Sequence, residues 1–186
     1  MKKIGVILGV FSVLLGCGSA KKFNTTPEAI AAFKAFITQE RFEFDATAAF
    51  PLQTQAFTSV ANSGLLQPGS NSGRIDLTGN ASYVKMYGDS ISMYLPYFGE
   101  RRVSGGYGEN TNITFKGIPE DYNIQFDSVK EKYLIEFKIH QGPELYDVHL
   151  DVFPSKTGNL SINSSQRSSI RYQGNIRTLE DSEITD

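Results

Sequence analysis

The stretch from residue 132 to residue 162 constrains the fold of this chain of 186 residues more than any other. Its first part alternates between apolar and polar side chains, with Tyr133, Ile135, Phe137 and Ile139 on one face. A period of two is typical of a β-strand that buries one face. The next run repeats the alternation, with apolar residues at positions 146, 148, 150 and 152. Two such runs in succession predict an antiparallel hairpin.

The register of this hairpin follows from its turn. Residues 141–144 read Gln-Gly-Pro-Glu, and they predict the turn because glycine admits a positive φ and proline cannot continue a ladder. Closing the chain there places Phe137 opposite Val148. A shift of one residue would put apolar side chains against charged ones, so the register is well determined. A second turn over residues 154–158 is expected to place Val152 opposite Leu160 and Leu150 opposite Ile162.

Similar patterns predict the other elements. Alternation begins again at Arg41, and Gly88-Asp89 predicts a two-residue turn between two further strands. Thr26-Pro27 predicts the start of a helix, because threonine is a good N-cap and proline is tolerated at the first helical position. Residues 53–73 predict no clear element and are consistent with a short helix followed by an ordered loop.

We therefore expect a mainly β domain. Its strands should form an antiparallel meander, folded as a sandwich or a partly open barrel, with one N-terminal α-helix packed on it. A closed, lipocalin-like barrel is the alternative. Large side chains on the predicted inner face favour a filled interior over a cavity.

The N-terminal residues predict export and a lipid anchor. Lys2 and Lys3 precede an apolar segment, residues 4–15, that is too short to span a bilayer comfortably. This segment ends in Leu-Leu-Gly-Cys, which resembles a bacterial lipobox, so Cys17 is expected to be acylated after cleavage. We expect a signal peptide over residues 1–16, a lipidated tether over 17–24, a single mainly-β domain over 25–177 and a disordered acidic tail over 178–186.

The cysteine content excludes a protein held by internal disulfides, and the charge argues against a nucleic-acid-binding protein. Cys17 is the one cysteine of the chain, so no internal disulfide can form. The formal net charge is −2, and the two lysines that leave with the signal peptide make the mature chain more negative still. A mildly acidic chain without a basic patch is a poor candidate for binding nucleic acid. The expected partners are the membrane, through the lipid on Cys17, and an unidentified envelope ligand or protein.

Two separated segments resemble a known family. They are Leu95-Pro96-Tyr97-Phe98-Gly99 and the run from Ser164 to Gly174 with the pattern SSxRxxIxYxG. On these segments the chain resembles an uncharacterised family of Bacteroidetes lipoproteins, a domain of unknown function. The resemblance implies a mainly β domain in the cell envelope and brings no activity with it. Lysines rather than acidic residues follow Cys17, which favours a periplasm-facing position over surface export.

The candidate ligand-binding residues are aromatic side chains near one predicted hairpin and the loop after it. Tyr94, Tyr97, Phe98 and Tyr107 lie within fourteen positions of one another. Aromatic faces with hydroxyl tips suit sugars, peptides and other amphipathic ligands. We expect a non-enzymatic module that binds a ligand or partner through these residues. No cofactor is expected, because the sequence contains no recognisable cofactor motif.

Two other functions are kept as alternatives. Asp147, His149 and Asp151 share one strand face with Glu136 opposite, and imidazole with carboxylates could hold a divalent metal for a hydrolase. However, a flat strand face separates side chains, and such alternation is also typical of the solvated face of a sheet. No metal ligands or catalytic residues are therefore predicted. The second alternative is a purely structural envelope protein.

Overall fold

The computed structural model describes residues 26–102 and 111–180. Cys17, the predicted signal peptide, the tether and Tyr107 lie outside the described residues. The elements in chain order are α1 (Pro27–Ile37), β1 (Arg41–Pro51), α2 (Gln55–Asn62), β2 (Ile75–Asp76), β3 (Tyr83–Tyr87), β4 (Ser90–Leu95), β5 (Ile113–Gly117), β6 (Glu120–Asp127), β7 (Lys132–Gln141), β8 (Glu144–Val152), β9 (Thr157–Ser164) and β10 (Ile170–Thr178).

The central hairpin has the predicted register. β7 and β8 pair with Phe137 opposite Val148 and Ile139 opposite Tyr146. The alternating apolar residues of both strands are buried in the core of the protein. The period of two in the sequence therefore identified the correct inner face.

The register of the following hairpin differs from the prediction by two residues. Val152 pairs with Gly158, and Leu160 pairs with Leu150 instead of Val152. The turn is shorter than expected because Lys156 adopts a positive φ of 58° and turns the chain early. Gly158 therefore belongs to β9, where a Cβ atom would lie 2.9 Å from Cδ2 of Phe44. The sequence interpretation placed this glycine in the turn, although it is needed for close packing inside the sheet.

The strands of the described residues form one antiparallel sheet. Its order is β5-β4-β3-β1-β10-β9-β8-β7-β6, with β2 added beside β1. The sheet curls into a half-barrel, so the predicted mainly β fold with a partly open barrel is confirmed. The two edge strands, β5 and β6, are not paired with each other in the part of the chain that the structure describes.

The side chain of Gln141, at the end of β7, links this strand to the edge strand β5. Its Nε2 atom donates a hydrogen bond to the carbonyl oxygen of Asn112 at 3.3 Å, and its Oε1 atom accepts one from Thr114 N, also at 3.3 Å. An amide side chain can make both contacts because it has a donor and an acceptor. The end of β7 is thereby attached to the beginning of β5.

Helix α1 covers one end of the half-barrel, which we call the lower end. The helix begins as predicted, with Thr26 as N-cap and its Oγ1 atom accepting from Ala29 N at 3.3 Å. Phe33 and Ile37 are buried, and the ring of Phe33 packs edge-on against Tyr133 with centroids 5.5 Å apart. The other, upper end is formed by residues 96–102, the β7–β8 turn and the loop over residues 164–169.

The interior is filled by side chains. The largest fully buried ones include Phe42, Phe44, Tyr146 and Tyr172. At the C-terminal end, β10 continues to Thr178 and Leu179 is also buried, so ordered structure extends into the first residues of the predicted tail. No helix among the described residues is long and apolar enough to cross a membrane.

Candidate functional site

A half-open groove of about 400 Å³ lies on the outer side of the sheet near its upper end. It is large enough for a small ligand or for one side chain of a partner. Most of its lining is apolar, with a few amide and carboxylate groups. The lining residues are Leu65, Leu66, Gln67, Ile75, Asp76, Leu77, Asn80, Ala81, Tyr94, Pro96 and Phe98.

The groove exists because one strand of the sheet is too short. β3 pairs with residues 41–45 of β1, in the lower half of that strand. Higher up, β1 pairs instead with the two-residue strand β2, at Ala48 and Ala49. The first residue of β3, Tyr83, pairs with Tyr94, so β4 has no strand partner on that side beyond this point. The groove lies beside β2 and this upper end of β4.

The segment that the sequence left unassigned, residues 53–73, supplies one wall. After helix α2 the loop is held by polar contacts close to the groove. Asn71 Oδ1 accepts a hydrogen bond from Gly73 N at 2.8 Å, and Ser70 Oγ accepts one from Asp76 N at 2.9 Å. These bonds fix the loop against β2 and allow residues 65–67 to line the cavity. Leu65 is 78% exposed at the rim.

The structure brings two of the candidate aromatic residues together at the groove. Tyr94 and Phe98 both line it, with Pro96 between them. The ring of Tyr94 stacks on Tyr83 with centroids 6.3 Å apart, and its hydroxyl accepts a hydrogen bond from Asn112 Nδ2 at 2.7 Å. Tyr94 is therefore held in a fixed orientation while part of its ring remains exposed.

Tyr97 is not one of the residues that line the groove, and its side chain is anchored at the upper end. Its hydroxyl lies 2.9 Å from the carbonyl oxygen of Ser168 and 2.8 Å from Ser168 Oγ. The guanidinium of Arg167 lies over its ring, 5.1 Å from the centroid. Burial raises the pKa of the Tyr97 phenol above its usual value. Through these contacts Tyr97 joins residues 96–102 to the loop over residues 164–169.

Behind Tyr97 lies a buried polar cluster that the sequence did not reveal. Glu144 and Arg167 are each 2% exposed. Ser164 Oγ donates a hydrogen bond to Glu144, and Arg167 donates from Nη1 to the carbonyl oxygen of Thr111. Glu144 follows Gly-Pro in a predicted turn, a position that usually indicates an exposed residue. Nothing in its local sequence indicates burial, because its main partner is 23 positions away.

The face around His149 has the polar pattern that the sequence suggested, with its groups already engaged. His149 Nδ1 lies 3.0 Å from Glu136 Oε1, and Asp151 forms an ion pair with Lys132 at 2.6 Å. Both His149 and Glu136 are more than 40% exposed. Within residues 26–102 and 111–180, no three His, Cys, Asp or Glu side chains are arranged to hold a metal ion.

Asp76 is the acidic group of the groove. Its Oδ1 atom accepts hydrogen bonds from Thr78 N at 3.0 Å and from Thr78 Oγ1 at 2.7 Å. The hydrogen bond from the Thr78 backbone, followed by the one from its side chain, lowers the pKa of the Asp76 carboxyl below its ordinary value. Asp76 is therefore ionised at neutral pH and gives the apolar groove one fixed negative charge.

Comparison with known proteins gives a family and no activity. The model of the family described as "Domain of unknown function (DUF4251)" matches residues 25–176. The crystal structure of a DUF4251 family protein from Bacteroides eggerthii is similar, with a TM-score of 0.52 and 12% sequence identity. The match covers 81% of this chain and 88% of that chain, and at this identity it shows the fold alone. No curated protein matches the sequence.

Proposed function

Because the chain belongs to the DUF4251 family, a domain of unknown function, we propose its role from its own geometry: a non-enzymatic envelope lipoprotein that binds an amphipathic ligand in the groove. The observation that carries the proposal is the groove of about 400 Å³, which combines apolar walls with the rings of Tyr94 and Phe98. Concave apolar sites with a few convergent polar groups are the usual form of small-molecule sites.

The groove has the features of a binding site. Its polar atoms are the amides of Gln67 and Asn80, the carboxylate of Asp76 and the hydroxyl of Tyr94. Among the described lining residues there is no serine, cysteine or histidine that could act as nucleophile or base. These lining residues can bury the apolar part of a ligand and orient its polar part.

Lipid attachment at Cys17 is the second part of the proposal. The lipobox-like segment before Cys17 supports it, and a lipid anchor would hold the domain at a bacterial membrane. We propose a periplasm-facing position in the envelope. The domain would then present its groove to molecules in that compartment, with no role in nucleic-acid binding.

The anchor is tested by Cys17→Ala in the native host. We expect the variant to leave the membrane fraction for the soluble fraction, or to accumulate as an uncleaved precursor. Normal processing with unchanged membrane partition would exclude the lipoprotein assignment.

The groove is tested with a neutral apolar fluorophore, N-phenyl-1-naphthylamine, whose emission rises in an apolar site. Phe98→Ala and Leu66→Ala, made in the full-length Cys17→Ala chain, should reduce the emission. Ile118→Ala removes an apolar side chain that is 67% exposed and remote from the groove, and should leave the emission unchanged. An equal response of all three variants would show that the fluorophore binds elsewhere.

A further inference from the structure

The ionisable groups of the groove restrict the chemistry of its ligand. Of the eleven described residues that line it, Asp76 is the one that carries a charge at neutral pH. The remaining residues are apolar, or carry amides or a phenol. An anionic ligand would bring a second negative charge next to the carboxylate. No lysine or arginine lines the groove; Arg74 lies 4.0 Å from the Asp76 carboxylate but is not one of the lining residues.

The Asp76 carboxylate retains one oxygen for a ligand. Oδ1 is engaged by Thr78, whereas Oδ2 lies 4.0 Å from Nη1 of Arg74, beyond hydrogen-bonding distance. Both side chains are partly exposed, 34% for Asp76 and 43% for Arg74, and an exposed pair at this distance is weak. A ligand with a strong donor can therefore bind Oδ2 without breaking a good ion pair.

The aromatic residues of the groove also favour a positive charge. The faces of Tyr94 and Phe98 carry the negative part of the ring quadrupole, which attracts ammonium and guanidinium groups. Leu65, Leu66 and Leu77 offer apolar surface to the rest of such a ligand. A carboxylate, two aromatic rings and an apolar wall together match a molecule with a cationic head and an apolar body.

We propose that the groove selects amphipathic cations, with an amine or guanidinium nitrogen bound to Asp76 and an apolar group held between residues 65–66 and Phe98. This inference rests on the proposed binding function, because it assigns the ligand class of the same groove. It excludes anionic amphiphiles, such as fatty acids and phosphate esters, as the preferred ligands.

The test uses three water-soluble probes that share a phenyl ring and differ in the head group: 2-phenylethylamine, 2-phenylethanol and 3-phenylpropionate. At neutral pH these are cationic, neutral and anionic. Binding to the full-length Cys17→Ala chain is measured by isothermal titration calorimetry and ligand-observed NMR. We expect the amine to bind roughly tenfold more tightly than the alcohol, since hydrogen bonds to charged groups are strong, and the propionate to bind most weakly.

Two matched variants locate the selectivity. Asp76→Asn keeps an oxygen that can accept from Thr78 and removes the charge, so it should abolish the preference for the amine over the alcohol while the alcohol still binds. Asp121→Asn removes a carboxylate that is 69% exposed on β6, away from the groove, and should preserve the preference. The affinity for the alcohol also reports whether the groove remains folded in each variant.

The outcomes separate the two proposals. Equal binding of amine and alcohol by the wild type, with both affinities reduced by Phe98→Ala, would overturn cation selection and leave the binding function intact. A preference for the amine that survives Asp76→Asn would also overturn it. Two other outcomes would show that the groove is not the binding site: none of the three probes binds, or Phe98→Ala does not weaken their binding. Either outcome would overturn the proposed ligand class as well.

Discussion

Glu144 and Arg167 form an ion pair that is almost fully removed from solvent. Arg167 Nε lies 3.1 Å from Glu144 Oε2, and the two side chains are only 2% and 3% exposed. Glu144 begins β8, whereas Arg167 lies in the loop between β9 and β10, so the pair attaches two separate loops at the upper end of the sheet. Arg101 adds a second positive charge, 3.5 Å from the same carboxylate oxygen.

Removing one partner of this ion pair should strongly lower the stability of the folded protein. Arg167→Met leaves the buried Glu144 carboxylate without its nearest cation and should lower the free energy of unfolding by about 3–5 kcal/mol. Lys138→Met also removes the cation of an ion pair, with Asp121 at 2.7 Å, in an exposed setting. It should cost no more than about 1 kcal/mol. Chemical denaturation measures both.

A double variant tests the cause of that loss. If the loss comes from an unpaired buried charge, adding Glu144→Gln to Arg167→Met should recover part of the stability. A double variant that is less stable than Arg167→Met would show that Glu144 contributes through contacts independent of Arg167.

The central hairpin offers a second comparison between neighbouring residues. Phe137 is 2% exposed and lies opposite Val148, so Phe137→Ala should cost about 3–5 kcal/mol through lost burial and a cavity. The Lys138 side chain points outward, so Lys138→Ala should lower the free energy of unfolding by no more than about 1 kcal/mol, the upper value for an exposed ion pair. Urea unfolding at pH 7 checks the difference, and similar losses at both positions would mean that the inner face is wrongly assigned.

Substitutions at Tyr97 and Phe98 should change different properties: the first should lower stability, and the second should weaken ligand binding. Tyr97→Phe keeps the ring beneath Arg167 and loses the hydroxyl contacts with Ser168, so it should lower stability by about 1 kcal/mol and leave groove binding unchanged. Phe98→Ala removes part of the groove lining and should weaken binding of N-phenyl-1-naphthylamine several-fold. Thermal unfolding and fluorescence titration measure the two effects. Loss of binding in Tyr97→Phe would extend the site towards Ser168.

The sequence could predict those parts of the fold that depend on local alternation. The register of β7 and β8, the β3–β4 turn and the cap of α1 follow from neighbouring residues. The register of β9 could not be predicted in this way. Gly158 is of a residue type that is common in turns, but it lies in the sheet against Phe44. Its position depends on a side chain more than 100 positions away, which no local pattern contains.

The candidate site could be predicted only in part, for the same reason. Tyr94 and Phe98 were identified from their aromatic character and line the groove. The wall over residues 65–67 and the role of Asp76 depend on how a long loop returns to β2 through Ser70 and Asn71. Alternation gives no information about such a loop, because its conformation is set by individual hydrogen bonds.

A buried hydroxyl on β6 gives the last prediction. The oxygen of Tyr122 is buried and has no hydrogen-bond partner within the described residues, and the Tyr122 ring packs 6.5 Å from Phe137. A buried polar atom without a partner is destabilising. Tyr122→Phe should therefore raise the free energy of unfolding at pH 7, by about 1 kcal/mol. Tyr172→Phe is the matched control, because it loses a hydrogen bond of 2.9 Å to the carbonyl oxygen of Pro96 and should be destabilised by a similar amount.

Both variants should also change the response to alkaline pH. Burial raises the pKa of the Tyr122 and Tyr172 phenols in the folded state, whereas an exposed phenol in the unfolded chain titrates at about pH 10. Above that pH the unfolded chain loses protons that the folded chain retains, so the stability present below pH 10 is lost as the pH rises further. Urea unfolding at pH 8, 10 and 11 should show a shallower decline in each variant than in the wild type. A loss of stability in Tyr122→Phe at pH 7 would mean that the Tyr122 hydroxyl has a stabilising partner in the folded protein. An unchanged alkaline decline in that variant would mean that burial does not raise the pKa of the Tyr122 phenol.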